Sequence, residues 1–218
     1  MTDRKFPRSL LATAVAGVFA LGFPAAQAAE ADFHIGLFTD YIDNGESKSD
    51  NDPVLQGGFE FDLESGVFTG VEASTLGSGN GIEVVPFIGY AFDAGPVGME
   101  FGYEYFHFSR LDDADEGEIF IGAEWGPVFA EVSYVLHADD RDAEGSRVWF
   151  LGAEYEVAPR TELFGGVGYD DPADDDSATF WELGAAYAFD FGTLSLTYAS
   201  RDESDAQDLL VAGYTLNF

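Results

Sequence analysis

Apolar residues fall on every second position for about ten residues at a time, and the pattern recurs twelve times along the chain. The last copy shows it plainly: Leu210, Ala212, Tyr214, Leu216 and Phe218 alternate with smaller or polar residues. A period of two is that of a strand whose faces differ, because successive side chains point to opposite sides. The alternation predicts strands at 31–42, 54–64, 67–76, 82–92, 97–108, 117–125, 128–138, 147–157, 161–170, 179–189, 193–201 and 208–218.

The connections alternate in kind. Glu64-Ser65-Gly66, Asp93-Ala94-Gly95-Pro96, Gly126-Pro127, Ala158-Pro159-Arg160 and Asp190-Phe191-Gly192 are tight and carry turn-forming Gly or Pro. Segments 43–53, 77–81, 109–116, 139–146, 171–178 and 202–207 are longer, and most are rich in aspartate. Strictly alternating short turns and long loops, with no crossover, predict an all-β fold: an up-and-down antiparallel transmembrane β-barrel of about 12 strands. The short turns belong to the periplasmic side, and an even strand count puts both ends there. A soluble sandwich also alternates. Here, however, the apolar phase is almost free of charge. Its aromatics gather at strand ends, at Tyr41, Tyr105, Trp125, Trp149, Tyr155, Tyr169, Trp181, Phe189 and Tyr198, as in the girdles of a membrane barrel.

The N-terminus sets the compartment. Arg4, Lys5 and Arg8 precede an apolar run from Leu10 to Gly22, and Ala26-Gln27-Ala28 forms a small-x-small site. Residues 1–28 are read as a cleaved secretory signal peptide and 29–218 as the barrel. The bacterial outer membrane follows as the destination. The alternating Tyr214, Leu216 and terminal Phe218 resemble the signal by which the barrel-assembly machinery recognises such chains for insertion. Outer-membrane lipid and lipopolysaccharide are then the surroundings.

Charge narrows the function. The chain has 9 basic and 41 acidic residues, and removing the leader takes three of the former and one of the latter, for a formal charge of −34. Such a chain repels nucleic acid and attracts cations. There is no cysteine, so disulfides, thiolate metal sites and cysteine nucleophiles are excluded. The polar phase of the strands is built of Glu, Gly and Phe. Glu60, Glu72, Glu100, Glu104, Glu124, Glu131, Glu154 and Glu182 are the candidate pore-lining residues. Phe68, Phe87, Phe106, Phe120, Phe150 and Phe164 are the candidate constriction. Arg201 is the one arginine on this phase, joined by His34 and His137. A dry interior could not hold so many carboxylates, each costing several kcal/mol without a partner. A wet or cation-bridged lumen is therefore expected, and acidic rings favour cations.

Chemistry beyond passage has little support. Ser133 and His137 share a face of one strand, but four residues of strand hold them roughly 13 Å apart. His137, Asp139 and Asp140 at the outer rim are a loose match to an omptin-like protease. Asp113-x-Asp115-x-Gly117 and Asp174-Asp175-Asp176 offer oxygen ligands but no complete calcium loop. No enzyme, no cofactor and no metal site are expected, only loose Ca²⁺ or Mg²⁺ association at acidic loops.

One stretch carries more than rhythm. It reads Asp40-Tyr41-x-x-x-Gly45-x-Ser47-x-Ser49-Asp50-x-Asp52-Pro53-x-x-Gln56-Gly57-Gly58-Phe59, then Ser65-Gly66-x-x-x-Gly70-Val71-x-Ala73-Ser74. It resembles the TorF-type porins, a proteobacterial outer-membrane family of otherwise unknown function. Tyr41, Gly45, Ser47, Ser49, Pro53, Gln56, Gly57 and Gly58 carry the likeness. Two positions depart from it: Asn44, where members carry a basic residue, and Glu46, where an apolar one is usual. The resemblance implies a porin-like role without naming a solute or site. The expected function is passive, cation-preferring diffusion of small solutes through a narrow acidic lumen. The alternative is a plugged structural or adhesive barrel displaying acidic loops. Oligomeric state is left open.

Overall fold

The computed structural model describes residues 30–204 and 206–218; the leader at 1–28 and its cleavage site lie outside the described residues. The strands are β1 (Glu30–Phe38), β2 (Ile42–Asp43), β3 (Glu46–Ser47), β4 (Val54–Asp62), β5 (Val67–Thr75), β6 (Ile82–Ala94), β7 (Val97–Phe108), β8 (Glu116–Trp125), β9 (Val128–Ala138), β10 (Arg147–Ala158), β11 (Thr161–Asp171), β12 (Ala178–Phe189), β13 (Gly192–Arg201) and β14 (Leu209–Asn217). Twelve of them form a closed antiparallel barrel in sequence order, with β1 pairing β14 and β4; β2 and β3 form a separate two-stranded hairpin. Closure is completed where the Phe218 amide donates to the Phe33 carbonyl at 2.9 Å. A closed barrel leaves no unpaired strand edge, which is what a lipid environment demands of a β-structure.

The alternation divides the wall as the sequence requires. Leu37, Leu55, Ile88, Phe101, Ile121, Leu151, Leu183, Leu196 and Leu210 are all exposed on the outside, Leu183 at 64%. A continuous apolar surface of this kind belongs in lipid rather than water. Strands of nine to thirteen residues, tilted as in other barrels, rise about 25 Å, the height of the hydrocarbon core. The chain is a bacterial outer-membrane barrel. The short turns 63–66, 95–96, 126–127, 159–160 and 190–191 lie at one end and the long loops at the other.

Two predicted features are corrected. The first strand ends at Phe38, not at residue 42, and Tyr41 is not in the outer girdle: it is 1% exposed, inside the barrel. Tyr41 and Ile42 continue the apolar count, but the chain turns inward after Phe38 and buries both. His137 is not in the lumen. β9 carries one extra residue, since Gly117 pairs His137 while Glu118 pairs Val135. This bulge at Leu136 reverses the alternation. His137 therefore faces outward, its Nε2 2.9 Å from the Tyr103 hydroxyl.

Candidate functional site

The outer mouth of the barrel is spanned by the segment between β1 and β4. The local sequence explains its shape. Asn44 and Gly45, both with positive φ (48° and 82°), make the turn between β2 and β3. Asn-Gly is the favoured pair for a two-residue hairpin, because both central residues adopt left-handed backbone there. Beneath the hairpin, Asp40 Oδ1 accepts from Ser47 Oγ at 2.6 Å, Ser49 Oγ at 2.7 Å and the Tyr41 amide at 2.7 Å. Ser49 Oγ also lies 2.8 Å from the Asp52 carbonyl oxygen. The buried carboxylate thus ties both arms of the loop together.

The hairpin crosses the bore. At its base the Tyr41 hydroxyl donates to Glu83 Oε1 at 2.6 Å, and Lys48 Nζ lies 2.6 Å from Glu83 Oε2 and 3.1 Å from Asp43. At its tip a Cβ on Gly45 would lie 2.7 Å from the Ser200 carbonyl and 2.8 Å from Phe180 Cβ, so the backbone there touches the wall and only glycine fits. Glu46 meets Arg201 at 3.3 Å. The base rests on β6 and β7, and the tip on β12 and β13, six strands away in a ring of twelve. Segment 43–53, read from sequence as an outer loop, is therefore folded into the mouth. Tyr41 and Ile42 pack there among Phe38, Val54, Leu76, Val85, Phe106, Phe108, Ala199, Leu209 and Val211, drawn from opposite sides of the wall. Burying these two side chains contributes on the order of 1.5–3 kcal/mol each.

Below the hairpin the inward positions carry the predicted glutamates: Glu60, Glu72, Glu100, Glu104, Glu124, Glu131, Glu154 and Glu182 all lie on the lumen phase of their strands. Glu104 and Glu118 are directly opposite on β7 and β8. Glu72 lies over Gly58, where an added Cβ would come within 2.5 Å of its carboxyl group, and meets His34 at 3.1 Å. The positive groups are few and shared: Lys48 has Glu83 and Asp43, and Arg201 has Glu46, Asp170 and Glu203.

The six candidate phenylalanines also face inward, on separate arcs. Phe68, Phe87 and Phe120 cluster, with centroids 6.2 and 6.4 Å apart. Phe150 stacks between Phe129 and Phe180, at 5.9 Å from each. Phe106 lines the hairpin core, and Phe164 packs against it. Most of the rings lie over a glycine of the neighbouring strand: a Cβ on Gly89, Gly102, Gly168 or Gly184 would meet Phe68, Phe120, Phe180 or Phe164 at 2.0–2.5 Å. Phenyl rings laid over cross-strand glycines cover the backbone and fix strand register.

Of the insertion-signal residues, Tyr214 and Leu216 lie on the outer phase of β14, and Phe218 follows its last residue and is exposed. The residues that carry the family likeness sit in and beside the inward loop. Pro53 leads into β4, where Gln56 faces the bore and donates to Ser74 at 3.2 Å. Gly57 allows close approach of the His34 carbonyl, 2.8 Å from where a Cβ would be.

Ser133 and His137 point to opposite sides of the wall. At the outer rim Asp115 accepts from His107 at 2.7 Å, Tyr105 at 3.1 Å and the Phe108 amide at 2.9 Å. Both its oxygens are thus held by the protein. Among the described residues no group of three acidic or histidine side chains is arranged to hold a metal ion.

A profile of bacterial proteins of unknown function (Gcw_chp) matches residues 24–213. The chain belongs to that family. The comparison with curated proteins gave no match. Among solved structures it is similar to the KdgM porin, with a TM-score of 0.61 and 7% identity over 86% of this chain and 98% of that one. The same values hold for the KdgM porin in complex with disordered oligogalacturonate. It is also similar to outer membrane phospholipase A from Escherichia coli, with a TM-score of 0.51 and 16% identity over 86% and 90%. At these identities the shared property is the fold. That fold carries both porins and an enzyme, so the site has to be read from its own residues.

The sequence reading missed Lys48, Asp43 and Glu83 as members of the mouth, and missed Phe38, Phe108 and Phe129 as inward rings. Asn44-Gly45 was the usable signal, because it marks a hairpin inside a presumed loop. Lys48 brings a positive charge to this hairpin.

Proposed function

We propose that this protein is an outer-membrane channel for passive diffusion of small solutes, with a preference for cations, narrowed at its outer mouth by the hairpin at 39–53. The carrying observation is the charge of the bore. Its inward strand positions hold glutamates on most strands and one arginine, and each of Lys48 and Arg201 is already matched by two or more carboxylates. A potential of that sign concentrates cations and excludes anions. The TorF-type resemblance of residues 40–74 is in keeping with a porin. A neighbour of the same fold was solved with an oligogalacturonate, an acidic sugar; a bore of the present charge repels such a polyanion and suits cationic or neutral solutes. The exposed Asp174, Asp175 and Asp176 of the outer loop would hold Ca²⁺ or Mg²⁺ loosely against lipopolysaccharide.

Planar-bilayer recording under a KCl gradient tests the reading. The expected reversal potential has the sign of K⁺ preference, and Glu100→Gln with Glu104→Gln reduces it. Anion preference in the wild type rejects the proposal. A second reading, a plugged barrel with a structural or adhesive role, is favoured by the hairpin's crossing of the whole bore. Absence of current from protein shown to be folded and inserted would select it.

A further inference from the structure

The Lys48 side chain is the protein's own clue to what the mouth can bind. Its ammonium lies 5.4 Å from the centroid of Tyr41, 5.5 Å from Phe106 and 5.3 Å from Phe108, and within 3.1 Å of both Asp43 and Glu83. Three aromatic rings and two carboxylates around one alkylammonium form a cation box, since ring faces attract a cation within about 6 Å and carboxylates neutralise it. The box is built: Tyr41, Phe106 and Phe108 are buried, Glu83 is 2% exposed, and the Tyr41 hydroxyl fixes the Glu83 carboxylate at 2.6 Å. Its occupant is on a flexible four-carbon stem and keeps 22% exposure, so the box is not sealed.

We propose that this box is a binding site for the alkylammonium groups of small organic amines, and that Lys48 is its tethered resident, displaced when such a solute enters. The chemistry favours organic amines over metal ions, because a small hydrated ion gains less from phenyl rings than an ammonium on an apolar stem does. Displacement frees the Lys48 arm, so the solute that fits the box also loosens the hairpin that narrows the mouth. This deepens the channel reading and relies on it only for the solute's route.

The test uses the refolded barrel in detergent, with n-butylammonium as the probe and n-butanol as its neutral counterpart. Lys48→Ala empties the box; Lys48→Ser serves if the alanine variant does not refold. By calorimetry, the emptied variant is expected to bind n-butylammonium about tenfold or more tightly than wild type does. Adding Glu83→Gln should remove the gain. Equal binding of butanol and butylammonium, or no gain over wild type, overturns the proposal. In the wild type, n-butylammonium at high concentration should speed amide hydrogen exchange in residues 40–52 relative to equal NaCl, and equal rates overturn the displacement. Binding is read without current. A chain that binds but passes no ions therefore rejects the channel and keeps the site, and one that conducts without binding does the reverse.

Discussion

Gly45→Ala is the sharpest probe of the hairpin across the mouth. Gly45 has φ +82°, and its missing Cβ would sit 2.7 Å from the Ser200 carbonyl oxygen and 2.8 Å from Phe180 Cβ. Left-handed backbone costs a residue with a Cβ about 1–2 kcal/mol. The contact adds about 1–3 kcal/mol, because a strand carbonyl held in the barrel ladder has little room to move. Opposing this at the tip is the Glu46–Arg201 pair, half-exposed on the glutamate side, worth about 1 kcal/mol at most. The tip is therefore expected to leave the β12–β13 wall. The base stays anchored by Tyr41 and Ile42, and the barrel itself is untouched. Single-channel conductance should rise. Cleavage after Glu46 by a glutamate-specific protease, followed by mass spectrometry, should quicken, while the urea midpoint of the barrel moves little. Gly126→Asn is the control: its φ is +63°, nothing lies within 4 Å of its added Cβ, and both readouts should match wild type. Unchanged conductance together with unchanged cleavage in folded Gly45→Ala would refute the docked hairpin.

Two further outcomes follow from the wall and the rim. Gly168→Ala places a Cβ 2.0 Å from Phe180 Cζ, and forcing that ring off the wall should destabilise the barrel by about 1–3 kcal/mol in reversible urea unfolding; Gly95→Asn, with open space around it, should cost far less. Asp115 lies in the outer loop before β8: burial acts to raise its pKa, but hydrogen bonds from His107, the Phe108 amide and Tyr105 outweigh it, and the net shift is downward. Its contribution is thus fully present above the unfolded value of about 3.9 and is lost as pH falls through the lower folded value. Urea midpoints of wild type and Asp115→Asn should differ at pH 7 and converge toward pH 3; a constant gap would show that ionisation of Asp115 is not what stabilises the rim.

The wall of this protein was legible in its residues because a strand has one simple rule. A period of two assigns each side chain to lipid or lumen without knowledge of the partner strand, and Gly or Pro marks where strands turn. β7 and β9 begin and end where the alternation does, at 97–108 and 128–138. The inward glutamates followed from the same parity. The rule failed where one residue broke the count. The extra Leu136 turned His137 outward, and nothing in the alternating stretch before it announced the bulge.

The mouth was decided by contacts that no local pattern encodes. Tyr41 and Ile42 read as two more residues of a strand, and Asn44-Gly45 as a turn in an outer loop. Whether that turn projects into water or folds across the bore depends on Glu83 forty-two positions away and on Arg201 beyond a hundred and fifty, which only barrel closure brings to the same level. Strand parity is a property of neighbouring bonds, so the sequence alone determined an acidic bore within an apolar wall. The hairpin that narrows that bore, and the aromatic box around its lysine, depend on side chains from opposite strands meeting, and only the tertiary structure settles that.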